Sequence, residues 1–234
     1  PFLVMALLNN VIPFVAIALG QKEIASGLAS VLNATTPLFG VALTHLMTND
    51  KMSPNMFAGV AIGILGVAML MGPAVLMGDR TSALGMSLVL VGTCAYGFAS
   101  VWGRRLRTTP PLVSAACQLV CSTLVMALIA GAVDQPWMLP APSARTVLAM
   151  LGLAALSTAL AYVVFFRILA VSGPTNVMLV TLLIPISGVA LGSIVLGETV
   201  HWRQVLGAMV IASGLIVIDG RVLAGRLASR SRAP

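Results

Sequence analysis

Residues 24–47, IASGLASVLNATTPLFGVALTHLM, decide the fold. At a rise of about 1.5 Å per residue the stretch is one bilayer long. It contains no Asp, Glu, Lys or Arg, and Pro37 lies near its middle. Residues 174–196, PTNVMLVTLLIPISGVALGSIVL, repeat its pattern 148 positions later. Pro37-Leu-Phe-Gly-Val-Ala-Leu aligns with Pro185-Ile-Ser-Gly-Val-Ala-Leu. The register then holds without a gap: Asp50 meets Glu198, Gly59 meets Gly207, Gly66 meets Gly214 and Gly72 meets Gly220. A shared motif followed by glycines in step marks a duplicated structural unit.

The composition fixes the solvent. The chain has 234 residues, 59% hydrophobic and only 8% charged, with a mean hydropathy of +1.06. A soluble domain needs roughly 25% charged residues to cover itself, so this chain belongs in a bilayer. Eight spans are predicted, at 2–19, 24–47, 55–77, 83–103, 112–133, 147–170, 174–196 and 204–223, with short loops between them. The fifth is the blandest. The net charge of +7 would suggest nucleic acid in a soluble protein. Here the basic residues lie between spans and act as topology signals, and no nucleic-acid partner is expected. If Pro1 starts inside, nine of the basic residues fall on the inner side and four on the outer. The excess places both ends of the chain in the cytoplasm. The chain opens within a hydrophobic run, so further N-terminal sequence is expected before Pro1.

Five crossings separate the aligned prolines. Five is odd, so the two copies point in opposite directions across the membrane. That is an inverted-topology repeat, the plan of many secondary transporters, with a site at mid-depth between the halves. The expected organisation is three helices of a first repeat in 1–78, a complete five-helix second repeat in 79–224, and a basic cytoplasmic tail in 225–234.

Candidate site residues follow from the prolines. Proline inside a helix cannot donate its own N–H and displaces the carbonyl four residues back. Pro13 frees the carbonyl of Asn9, Pro37 that of Asn33 and Pro185 that of Thr181. Irregular polar backbone at membrane depth is tolerated where it is buried in protein or lines a wet cavity. Pro13, Pro37 and Pro185 are therefore the expected kink or gating positions. Asn9, Asn10, Asn33, Tyr96, Thr158, Tyr162 and Thr181 are the expected lining of a substrate site. Ser26, Ser30, Asn33, Pro37, Gly40 and Thr44 keep to one helix face and are expected to look inward. His45, Glu198 and Asp219 fall near span ends, and no carboxylate falls at mid-depth. The pair His45 and His201 lie on opposite sides, and no phosphate loop or metal-ligand cluster occurs. No enzyme activity and no cofactor is expected.

At these residues the chain resembles the EamA family of the drug/metabolite transporter superfamily. The second copy carries the likeness in Ile184-Pro185, the small-residue run to Leu196-Gly197-Glu198-Thr199, then Gly207 and Gly214. The first carries it in Thr36-Pro37-Leu38, Gly59 and Gly66, and departs at Asn49-Asp50, where the family usually has Gly-Glu. The resemblance implies an all-α integral membrane fold of ten helices in two inverted five-helix repeats, of which this chain supplies eight. It also implies transport of small metabolites such as amino acids. The expected function is a multi-pass inner-membrane carrier working by alternating access on a neutral or zwitterionic solute, in the export direction. A non-transporting interaction protein and an intramembrane enzyme are the alternative readings.

Overall fold

Apolar runs punctuated by proline and glycine fold here as helices, and the computed structural model describes them over residues 1–161, 163–164 and 183–219. For Pro73, Val75 and Asp219 it describes the backbone alone. Among these residues there is no strand. The helices are α1 (Phe2–Ala6), α2 (Ile12–Gly20), α3 (Ser26–Asn33), α4 (Thr36–Met47), α5 (Pro54–Leu76), α6 (Arg80–Trp102), α7 (Pro111–Val133), α8 (Ala144–Gly152), α9 (Leu183–Leu196) and α10 (Trp202–Asp219). A π-helical turn, Leu7–Val11, joins α1 to α2. Phe2–Gly20, Ser26–Met47, Pro54–Gly72, Arg80–Leu106 and Pro111–Val133 are each long and apolar enough to cross a membrane. The described parts of the other three predicted spans form apolar helices at Ala144–Leu160, Leu183–Leu196 and Trp202–Ile218. Within the described helices the ionisable Arg80, Arg145, Arg203 and Asp219 sit in a first or last turn. Large apolar side chains such as Phe57, Ile64, Leu65, Leu124 and Leu128 are exposed, as lipid contact requires and water would penalise. The protein is an all-α integral membrane protein.

Two compact units divide these residues. The first comprises Pro1–Thr123 with Ile184–Pro234, and its packing shows how the duplicated helices meet. On α5 and α10 the glycines pair crosswise. A Cβ on Gly59 would lie 2.5 Å from the Gly214 carbonyl oxygen, and one on Gly214 would lie 2.6 Å from the Gly59 oxygen. A Cβ on Gly66 would lie 3.1 Å from the Gly207 oxygen. Positions equivalent in sequence are thus exchanged in space, since Gly59 corresponds to Gly207 and Gly66 to Gly214. Numbers fall along α10 as they rise along α5, so the two helices run in opposite senses. The backbones touch because neither side presents a side chain. In lipid such contact substitutes for the hydrophobic drive.

The same inversion holds for the organising stretch. Ser26 packs on Gly192, Gly27 on Val189 and Ser30 on Gly188. Numbers again fall on α9 as they rise on α3. Further along, Gly97 of α6 meets Phe39 and Leu43 of α4, and Gly20 of α2 meets Gly85 and Val89 of α6.

The second unit is Leu124–Leu183. There α7 runs out to Val133, Gln135 takes a left-handed φ of 44°, and the Trp137 ring folds onto Gly131. Ser143 caps α8 by accepting from the Thr146 N–H at 3.2 Å. A π-helical run, Leu153–Leu160, follows.

Candidate functional site

The organising stretch is not one kinked helix but two helices. α3 stops at Asn33 and α4 starts at Thr36. The cause lies in the run Ala34-Thr35-Thr36-Pro37. Pro37 has no N–H to return to the Asn33 carbonyl. Leu38 N–H bonds instead to the Thr35 oxygen at 2.9 Å, and Thr35 N–H to the Leu32 oxygen at 3.0 Å. Two hydroxyls take up displaced carbonyls: Thr36 Oγ1 donates to the Asn33 oxygen at 2.8 Å and Thr35 Oγ1 to the Leu32 oxygen at 2.6 Å. Thr35 is wholly buried. The threonines therefore solve the backbone problem posed by Pro37, and the Asn33 side chain is not spent on it. Its Oδ1 is buried and, among the described residues, has no hydrogen-bond partner. An amide oxygen held this way is costly unless something polar reaches it.

Pro13 acts differently. The π-helical turn before it lets the Ile12 N–H reach the Leu7 oxygen. That extra residue per turn is a common response to strain in a helix. Asn9 and Asn10 project from this turn onto α7. Asn9 Nδ2 donates to Gln118 Oε1 at 3.0 Å, and Asn10 Nδ2 to Ser122 Oγ at 3.3 Å. Asn10 is only 3% exposed. These are interhelical bonds of a kind worth roughly 0.6 kcal/mol in a membrane protein, and they engage part of the polar capacity first read as lining. They also correct the reading of the fifth span as bland. Its Ser114, Gln118 and Ser122 lie four apart on one face, and a glutamine at that depth was the signal.

Three of the remaining candidates fall on described residues. Tyr96 is partly buried on α6, one turn beyond the fully buried Thr93. Thr158 lies in the second unit, where its hydroxyl donates to the Leu153 oxygen at 3.3 Å. Pro185 is partly buried in α9. Tyr162 and Thr181 lie outside the described residues.

Each end of the α3–α4 stretch carries a carboxylate, and these are the two aligned acidic positions. Asp50 receives Arg104 Nη1 at 2.5 Å. The Arg104 hydrogen bond and charge hold the Asp50 carboxyl below its ordinary pKa. Next to it, His45 Nδ1 accepts from the Met52 N–H at 3.2 Å on the exposed surface. At the other end, Glu198 accepts from the backbone N–H groups of Ser26 and Gly27 at 2.7 and 3.0 Å. Desolvation raises the Glu198 pKa, but the N–H groups of Gly27 and Ser26, with the Ser26 hydroxyl, outweigh it and leave the group below its ordinary value. Sequence reasoning placed Glu198 only at a span end. Its partners are main-chain groups, which no residue type announces.

The sequence matches a known family and several known proteins. Residues 1–72 and 83–219 match the EamA-like transporter family. The chain is similar to a probable amino-acid metabolite efflux pump of Salmonella typhimurium, 27% identical over 212 residues, covering 87% of this chain and 70% of that protein. It is also similar to the inner membrane transporter YedA of Escherichia coli, 27% identical, covering 85% and 64%. A third relative is the transporter YoaV of Bacillus subtilis, 24% identical, covering 92% and 74%. All three are named as transporters or pumps, not as enzymes. The chain, with its inverted glycine contacts and its helix broken at Pro37, belongs to the EamA-like transporter family.

Proposed function

We propose that this protein exports a small neutral or zwitterionic metabolite, such as an amino acid, across the inner membrane by alternating access. The observation that carries this reading is the buried, unpartnered Oδ1 of Asn33 at a helix break. Discontinuous helices supply substrate sites in carriers because their interrupted ends expose polar groups at depth. The described helices keep Asp, Glu, Lys and Arg out of their middles, which favours a solute without net charge. An amide oxygen suits the ammonium or hydroxyl donors of such a solute. The name of the Salmonella relative supports the amino-acid class and the outward direction. The inner-membrane location follows the name of YedA, and the basic excess supports cytoplasmic ends. The organisation into repeats at 1–78 and 79–224 with a tail at 225–234 is part of the same reading. Thr158, Tyr162 and Thr181 enter it as expected lining, and so does Tyr96.

Asn33→Ala tests it. The full-length protein is expressed, and efflux of a labelled panel of neutral amino acids is followed from loaded cells. The expected result is a fall of roughly tenfold for the transported solute, at unchanged membrane abundance. Normal efflux by the variant would remove Asn33 from the site.

A further inference from the structure

α3 begins without a local cap. Its N-cap residue is Ala25, which has no side-chain acceptor, and the first N–H groups of any helix need partners. Glu198 supplies them from 171 and 172 residues away, one carboxylate oxygen to each N–H. Gly197 makes this possible. Its φ of +67° reverses the chain directly after α9, and the Glu198 N–H returns to the Gly192 oxygen at 3.1 Å. A carboxylate on a helix N-terminus combines charge-assisted hydrogen bonds with a favourable dipole.

The cap sits at the end of a closed seam. A Cβ on Gly192 would collide with the Glu198 carboxylate and lie 3.0 Å from Ser26 Oγ. A Cβ on Gly188 would collide with the Ser30 side chain. α3 and α9 therefore meet with no free space from Ser26 to Ser30, and Asn33 is one turn further along α3. A route to Asn33 between α3 and α9 opens only when the two helices part, and parting them breaks both Glu198 bonds. The aligned position in the first copy does different work at the opposite end, where Asp50 holds Arg104 by an exposed ion pair.

We propose that Glu198 is a positioning residue whose carboxylate latches the α3 N-terminus to α9. The latch holds shut the end of the carrier formed by residues 21–25 and 197–201. This rests on the transport reading, but its test does not use transport. Ser30→Cys is placed in a background with Cys94, Cys117 and Cys121 changed to serine, and open membrane fragments are treated with a membrane-impermeant maleimide. With Glu198 present, labelling is slow. With Glu198→Ala it is roughly tenfold faster, because the open population rises. With Glu198→Gln, which keeps one acceptor oxygen, the rate falls between the two. A control cysteine at Thr44, towards the other end of the stretch, is not accelerated by Glu198→Ala. An unchanged Ser30→Cys rate in Glu198→Ala would overturn the proposal. Equal acceleration at position 44 would also overturn it, since Glu198 would then only hold the fold together. The predicted labelling pattern in a protein that moves no amino acid would leave the latch standing and remove the transport reading alone.

Discussion

Replacing Gly59 with valine is expected to cost about 3 kcal/mol of stability, at the upper end of the usual penalty for overpacking. The added Cβ would stand 2.5 Å from both the Gly214 oxygen and the Ile218 side chain, and 3.0 Å from the Ile218 nitrogen. Two of those three atoms are backbone and cannot rotate away. Relief requires α5 and α10 to separate, and separation forfeits the close contact that stands in for a hydrophobic drive in lipid. Gly214→Val should fail equally, because its Cβ meets the Gly59 oxygen and the Gly63 nitrogen at 2.6 and 2.9 Å. Gly72 is the control on the same helix. Among the described residues nothing lies within 4 Å of its Cβ position, so Gly72→Val should stay within about 0.5 kcal/mol of the parent. Thermal unfolding in detergent, with membrane abundance measured alongside, distinguishes them. Equal midpoints for Gly59→Val and Gly72→Val would contradict the crossed pairing.

Pro37→Ala is expected to impair function while sparing the fold. An alanine N–H at position 37 can reach the Asn33 carbonyl, which the Thr36 hydroxyl now satisfies at 2.8 Å. α3 and α4 can then close into one helix; Pro37 stands in the first turn of α4, where proline is tolerated, so its loss removes no interior penalty. Thermal stability should hold. Transport should fall by roughly tenfold, because the Asn33 amide oxygen rotates away from its present direction and the joint between the two half-helices is lost. Efflux measured together with the unfolding midpoint checks both halves of the statement. A stable variant with full efflux would show that the break serves folding only.

The inverted plan was legible in the residues because it is written in backbone needs. Proline cannot donate and glycine alone permits contact, so their register survives in the letters: Pro37 with Pro185, Gly59 with Gly207, Gly66 with Gly214. The crossed pairing of those glycines follows once the copies are inverted. Other features depended on what faces what. The interhelical partners of Asn9 and Asn10 were not visible because their span was read singly: Gln118 and Ser122 of the supposedly bland α7 accept from their amides. The split at Ala34 and Thr35 required seeing that two hydroxyls could absorb the carbonyls displaced near Pro37. Glu198 was hidden for another reason. Its donors are the main-chain N–H groups of Ser26 and Gly27, which every sequence possesses.

The inversion itself is tested most directly by sidedness. Single cysteines at Lys22, Lys51 and Thr199, in the background with Cys94, Cys117 and Cys121 changed to serine, are exposed on intact cells to a membrane-impermeant maleimide. The account predicts labelling at positions 22 and 199, and protection at position 51 until the cells are permeabilised. Labelling of 22 and 51 from the same side, or of 199 from the side opposite to 22, would contradict it.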